Sequence, residues 1–455
     1  MARRLQHDPE CPSVSLETTS RSLIPIGMVT LLPDAAQRVR HLERVVCDGF
    51  ARWGYREIIP PTFEYLDVLS AGLQVDILEK CYKVADWTTG RVFVLRPDVT
   101  AQIAKIVAMG LAGQHVPLRL SYRSTVFRYE PEHAGREREV FQLGCELIGA
   151  DAAWMDAEIL VLLIDSLKAV GLTDFKVSLG HVGFYQSLLA QAGLSERGCK
   201  QAELAAAHKD LPKLEQLLKR ERVSHRQSRT ILGALEQCGR EEVLEWGRAV
   251  AGRRPRLLKP IARLAEVYAL LDAAGVGNHL LLDLGEFRGF DYYDGIVFDV
   301  FSTNVGCELG GGGRYNHLIG RFGRDLPSTG FALDIDRLFN ALDGGGEEKL
   351  EEQRVLVVAP ASRFQRAFRV SQLLRSHGLV ACYEPVPRWD AARLRLIRKQ
   401  ARVADMSWVV QVGPSSASDD DDLVTAEKTR GRAAWTVRIR DLPGLILQQG
   451  AYAHP

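Results

Sequence analysis

Two alternating runs constrain this chain more than any other feature. The segment "LRLSYRSTVFRYE" (118–130) alternates polar and apolar residues. The segment "GREREVFQLGCELIG" (135–149) repeats the alternation after a short charged turn. Successive side chains of a strand point to opposite faces, so each run has one face to bury and one left for other use. A connection this short joins antiparallel strands, since parallel pairs need a crossover of a dozen or more residues. An isolated hairpin is barely stable in water, so the pair demands further strands and a covering layer.

The flanking segments supply both. Pro33 and Asp34 form a helix start, and Val39, Leu42, Val45, Val46 and Phe50 recur at helical spacing until Gly54. Ile58 and Ile59 begin a strand closed by Pro60 and Pro61. Residues 91–110 read as a strand, a Pro turn and a helix, and 156–172 as a helix stopped by Gly171. Strands covered by helices and joined by hairpins predict an α+β domain with a largely antiparallel sheet and flanking helices.

Residues 183 to about 278 break the rhythm, with long helical periodicity and almost no strand signal. They predict a helical insertion, about 190–278, inside a domain spanning 21–342. Strand patterns return in 278–302, and 307–342 runs turn, strand and helix. The Gly-rich, charged stretch 343–353 is a linker, and 354–455 follows a β-α-β pattern that predicts a small C-terminal α/β domain. A length of 455 residues accords with two or three domains. Residues 1–20 carry basic residues but no apolar run, and read as a disordered tail rather than a signal peptide.

Composition excludes some classes of function. Net charge is +1 at pH 7, where proteins held by many phosphate contacts usually show a stronger basic bias. No apolar run reaches the roughly 20 residues that span a bilayer. The eight cysteines are scattered, with no Cys-x-x-Cys pair, so neither a metal site nor a disulfide framework is expected. Reduced thiols point to the cytoplasm.

Four segments carry residues suited to a small zwitterionic amino acid. A carboxylate ligand group wants the planar fork of an Arg, and an ammonium wants an acid. Asp98 lies in "RPDVT"; Arg128, Gln142 and Glu146 lie in the hairpin; Arg288, Tyr292 and Tyr293 lie in "EFRGFDYYDG". No segment is specific alone, and together in one order they are.

The region 24–342 resembles the catalytic domain of the histidyl-tRNA synthetase family. "RGFDYY" and "GGGGRYNHL" look like its two histidine signatures, "FRYE…GREREVFQ" like its arginine-bearing loop, and "STGFALDIDRL" like its last nucleotide motif. The resemblance implies a class II aminoacyl-tRNA synthetase-like fold. It implies an L-histidine-binding set of Asp98, Val99, Thr100, Arg128, Gln142, Glu146, Arg288, Tyr292 and Tyr293. "LRPDVT", "SLGHVGFYQSLL", "YYDGIVFDVF" and "GFALDIDRL" resemble more closely a non-catalytic branch, the regulatory subunits of ATP phosphoribosyltransferase.

The departures from the synthetase pattern are local. Asp334 stands where the synthetases carry Gly, and Pro131-Glu132 where they carry Arg-Pro. Val140 falls at the adenine-stacking position, with Phe141 as a partial substitute. A carboxylate beside a triphosphate repels it. The nucleotide half is thus altered in three places while the histidine half matches.

This implies a regulatory subunit with no catalytic residue, metal or cofactor, required for the first step of L-histidine biosynthesis. It would be a homodimer within a hetero-oligomer, pairing through residues 33–63, with L-histidine and a short-form ATP phosphoribosyltransferase catalytic subunit as partners. It would bind neither membrane nor tRNA. The alternatives are a divergent histidyl-tRNA synthetase, favoured by a C-terminal domain loosely like an anticodon-binding domain, and a paralogue that modifies another acceptor.

Several residues keep a second reading. Asp98 is either a ligand group or the cap of the following helix. Tyr292 and Tyr293 alternate along a strand, so one of them points away from the pocket. Gly310 to Gly313 read as a tight turn, His181 as a turn or packing residue, and the acidic run 419–422 as a solvated loop.

Overall fold

The computed structural model describes residues 24–25, 27–111, 113, 115–129, 138–286, 291–343, 353–413, 422–430 and 433–451. They fall into two compact units, divided between residues 346 and 347. The expected tail at 1–20, nearly all of the linker, the Pro131-Glu132 pair and Arg288 lie outside the described residues.

The first unit is built on a nine-stranded sheet. In chain order its strands are β1 (Arg56–Glu57), β2 (Leu118–Phe127), β3 (Glu139–Ile148), β4 (Phe175–His181) and β5 (Cys238–Gly239). There follow β6 (Leu280–Asp283), β7 (Ile296–Ser302), β8 (Glu308–Arg314) and β9 (Ser328–Asp334). Their order across the sheet is β1-β2-β3-β9-β8-β7-β4-β6-β5. Only β1–β2 and β4–β6 pair in parallel; every other neighbour is antiparallel.

The β2–β3 hairpin forms as its alternation demands, in register from Leu118 opposite Ile148 to Phe127 opposite Glu139. The strand divides its side chains between two environments. Leu143, Cys145 and Leu147 enter the large core beneath the sheet, and Phe141 packs against that core. Val140 belongs to a smaller core on the opposite face. Gln142 and Glu146 share the parity of Val140.

The Pro33–Arg52 helix starts on Pro33 and stops before Gly54, whose φ of +82° suits a residue without a side chain. Its stripe of Val39, Leu42, Val46 and Phe50 is buried in the large core. The stripe therefore faces the chain's own core, and pairing through residues 33–63 would rest on other side chains. In the same segment Leu32, Trp53, Ile59 and Phe63 are exposed. The strand expected at Ile58 falls two residues earlier, because Pro60 and Pro61 have no N–H to extend a ladder; the Ile58 N–H still donates to Ser121 O at 2.8 Å.

Six helices between Val182 and Ala273 make up the expected helical region. They do not form a body apart. Ala202, Leu214, Ile231, Leu257 and Leu264 belong to the same core as Leu143 and Phe298, and Cys238–Gly239 adds the outermost strand to the sheet.

The second unit has five strands, Arg354–Ala359, Val380–Pro385, Trp408–Gln411, Leu423–Lys428 and Ala434–Arg438. The first three pair in parallel and the last two are antiparallel additions. Helices Phe364–Ser376, Ala391–Val403 and Leu442–Ala451 accompany them. Among the described residues no helix is long and apolar enough to cross a membrane, and the seven described cysteines are free thiols.

Candidate functional site: a cleft across the sheet

The polar face of β3 opens into a cleft of about 810 Å³ that reaches β9, β8, β7, β4 and β6. Seven of the nine expected site residues line it: Asp98, Thr100, Arg128, Gln142, Glu146, Tyr292 and Tyr293. Val99 does not. Its side chain is buried in the smaller core with Ile103 and Leu318, because it opens the Val99–Ile106 helix on the inward face. Arg288 cannot be placed.

Glu146 anchors the inner end of the cleft. Only 1% of it is exposed. Thr100 Oγ1 donates to its Oε1 at 2.7 Å, and the Tyr315 hydroxyl donates to its Oε2. Burial pushes the Glu146 carboxyl up to about 8; the two hydroxyl bonds pull the other way and only partly offset it. In the empty cleft at neutral pH this acid therefore mostly keeps its proton. Burial likewise raises the Tyr122, Tyr292 and Tyr315 phenols well above their ordinary value, so all three remain protonated donors.

The floor here must be bare. Gly330 lies opposite Glu146 across the β3–β9 pair. A Cβ on Gly330 would sit 1.7 Å from Glu146 Oε2 and 2.5 Å from Cys145 O. The Gly310–Gly313 run, read from sequence as a tight turn, is instead the middle of β8. Close backbone approach is the reason for it: a Cβ on Gly312 would lie 2.0 Å from Gly330 O.

Asp98 caps the helix and also engages a tyrosine of the cleft. Its Oδ1 accepts the Ala101 N–H at 3.2 Å, capping the helix, and its Oδ2 accepts the Tyr292 hydroxyl at 2.9 Å. Tyr292 and Tyr293 sit in a turn before β7, not in a strand, so the expected alternation does not apply. Their ring centroids are 4.7 Å apart and both rings face the cleft. Arg128 is half-buried just past β2, with Nε donating to Pro97 O at 2.9 Å. His181 caps the Val182–Gln191 helix through Nδ1, which accepts the Gly183 N–H at 3.1 Å.

The middle of the cleft has another character. Asp334 ends β9 opposite Gln142. Gln142 Nε2 donates to Asp334 Oδ1 at 2.8 Å, and Arg337 Nη1 lies 3.5 Å from Asp334 Oδ2. The same Nη1 donates to Glu308 O at 2.9 Å. Val140 is buried, and Phe141 packs on the opposite face of the sheet. Phe141 therefore does not substitute for an adenine-stacking ring, because adjacent strand residues point to opposite sides. Further out, Lys209 pairs with Asp283 at 2.8 Å, and Ser178 donates to Glu286.

Sequence reasoning missed Tyr315 and Tyr122. Tyr315 directly follows the glycine strand, and Tyr122 alternates in phase with Leu118 and Leu120 opposite Gly144. Both signals were present, but a lone tyrosine is indistinguishable from packing until its partner carboxylate is located.

Residues 27–338 match the family model described as histidyl-tRNA synthetase. An ATP phosphoribosyltransferase regulatory subunit from Geobacter metallireducens is 34% identical over 90% of this chain and 94% of its own length. One from Moorella thermoacetica is 40% identical over 70% of this chain and 81% of its own. Among solved structures, an ATP phosphoribosyltransferase regulatory subunit/histidyl-tRNA synthetase from Bacillus halodurans superposes with TM-score 0.76 at 27% identity, covering 88% of this chain and 100% of that one. A histidyl-tRNA synthetase from Nostoc superposes with TM-score 0.77 at 20% identity over 96% of this chain and 100% of its own, a likeness of fold.

Proposed function

This chain belongs to the histidyl-tRNA synthetase family and, within it, to the ATP phosphoribosyltransferase regulatory subunits, and from that premise we propose that it senses free L-histidine. The imidazole sits at Glu146 and Tyr315. The carboxylate lies toward Arg128, joined on sequence grounds by Arg288. The ammonium lies toward Asp98 and Gln142.

One observation carries the reading. Asp334 occupies the nucleotide half, where its carboxylate engages both Gln142 and Arg337. An arginine already facing two acidic side chains, Asp334 and Glu308, offers little to a polyphosphate. In the histidine half, Glu146 keeps its two hydroxyl donors, and Gln142 spends only one end of its amide on Asp334. A chain that recognises the amino acid and not the nucleotide reports on concentration and does not activate the amino acid.

The report goes to a short-form ATP phosphoribosyltransferase catalytic subunit. Exposed Leu32, Trp53, Ile59 and Phe63 suit a homodimer contact inside such a complex. Histidine inhibits by favouring one arrangement of the assembly, since a ligand shifts an equilibrium only through differential affinity. The test is reconstitution: mix the chain with a short-form catalytic subunit from the same organism and measure mass and activity with and without histidine. Co-elution, activation and histidine inhibition are expected. A monomer that neither binds nor activates the enzyme ends the reading, and so does histidine-dependent pyrophosphate exchange at synthetase-like rates.

A further inference from the structure

Asp334 also reaches the amino-acid half of the cleft, through Gln142. The Gln142 side-chain amide has one end that donates and one that accepts. An ionised carboxylate accepts only, so the 2.8 Å bond to Asp334 Oδ1 must come from the Gln142 nitrogen. This fixes the orientation of an amide that would otherwise be free to turn end for end, and it leaves Oε1 as the other end. Both residues are mostly buried, at 8% and 9% exposure, so water competes little for the bond. Arg337, 3.5 Å from the other Asp334 oxygen, holds the carboxylate in place.

The position of Gln142 says what that oxygen meets. Along the β2–β3 hairpin, Glu146 pairs with Leu120, Gln142 with Ser124, and Arg128 lies just past the last pair, Phe127 with Glu139. Gln142 therefore stands between the inner carboxyl and the arginine. A histidine with its imidazole at one and its carboxylate at the other brings its α-ammonium to the level of Gln142.

We propose that Asp334 is a positioning residue for amino-acid recognition: it holds the Gln142 amide with its oxygen toward the ligand, so the cleft demands an ammonium donor there. The substitution that disables the nucleotide half thus sharpens the histidine half, and a des-amino ligand is rejected because it leaves a fixed, buried acceptor without a donor. The inference rests on the histidine-sensor reading.

The experiment is calorimetry on the full chain with two ligands, L-histidine and imidazolepropionate, which is histidine without its α-amino group. Wild type, Asp334→Asn and Asp334→Gly are compared, with thermal melts to confirm folding. Wild type should prefer histidine by at least about thirtyfold. Asp334→Gly frees the amide to turn and should cut that preference by about tenfold, mostly through weaker histidine binding. Asp334→Asn still offers an amide oxygen to Gln142 Nε2 and should keep the preference within about threefold. Equal weakening of both ligands by Asp334→Gly would mark a merely structural role and overturn the proposal. So would an unchanged preference. A wild-type chain that binds neither ligand instead defeats the histidine reading, and the inference falls with it.

Discussion

A mostly buried carboxyl group sits in each half of the cleft, and the two keep different company. Glu146 is held by two neutral hydroxyls, Thr100 and Tyr315, and keeps its proton near neutrality. Asp334 is held by an amide and faces a guanidinium. The first arrangement has spare capacity: its acid can share a proton with an incoming base or pair with a cation. The second is already balanced by the chain itself. On the histidine-sensor reading, the same functional group makes a receptor in one place and a plug in the other, and neighbours decide which.

The largest test of this contrast removes the receptor. Glu146→Ala leaves the buried Tyr315 hydroxyl and the half-buried Thr100 hydroxyl without this acceptor and should weaken histidine binding by about 2–4 kcal/mol, as should Arg288→Ala on sequence grounds. Calorimetry with leucine as control reads it; equal wild-type affinity for leucine and histidine breaks the comparison. A second test asks what the buried acid costs the empty protein. Glu146 ionises near its ordinary 4.5 when unfolded and at about 8 when folded. Between those values the folded state binds more protons, so the contribution of this group to stability is greatest below pH 4.5 and is lost as pH rises through 8. Glu146→Gln should then be more stable than wild type at pH 8 by on the order of 4 kcal/mol, and should show no advantage near pH 4.5. Denaturant titrations at both pH values decide it, and a gain independent of pH contradicts the assignment.

The third test follows the proton into the complex. Below pH 8 the Glu146 carboxyl carries a proton, and above roughly 6.5 the ring of free histidine is neutral. Binding in that window needs no proton exchange. Histidine affinity should be flat between about pH 6.5 and 8 and fall by about tenfold per pH unit, or 1.4 kcal/mol, on either side. An affinity that keeps climbing past pH 8 would place the imidazole elsewhere. The smallest effect is expected in the plugged half. Val140→Phe restores a ring, yet Asp334 still engages Arg337, so ATP binding should improve by less than about 0.5 kcal/mol and no pyrophosphate exchange should arise. Measurable exchange from this one change would show that the plug is not in the acid.

The sequence made the sheet legible wherever alternation was long. The β2–β3 hairpin and the Pro33–Arg52 helix followed directly from pattern and punctuation. Short strands were harder. Arg56–Glu57 and Cys238–Gly239 have no periodicity to read, and only neighbouring strands make them strands. The last two strands of the C-terminal unit were missed because "LVTAEK" mixes polar and apolar residues without a clear face. Site residues were named by type and resemblance, but their partners were not. That Asp334 engages Gln142 depends on the register of β9 against β3, residues 192 positions apart. Likewise nothing in "DYYD" distinguishes a turn that aims both rings into the cleft from a strand that splits them.

The helical region shares one close-packed interior with the sheet, and Lys209, just after the Glu196–Ala207 helix, is pinned to Asp283 on the far wall of the cleft. Interiors at this density are hard to compress and transmit displacement. The helices are thus better described as a lever than as a lid, because their buried side chains share one core with the sheet. Ligand-induced movement of the β6 wall would reach the outer surface of these helices as small rigid displacements. A partner resting on that surface would register occupancy of the cleft without ever touching it.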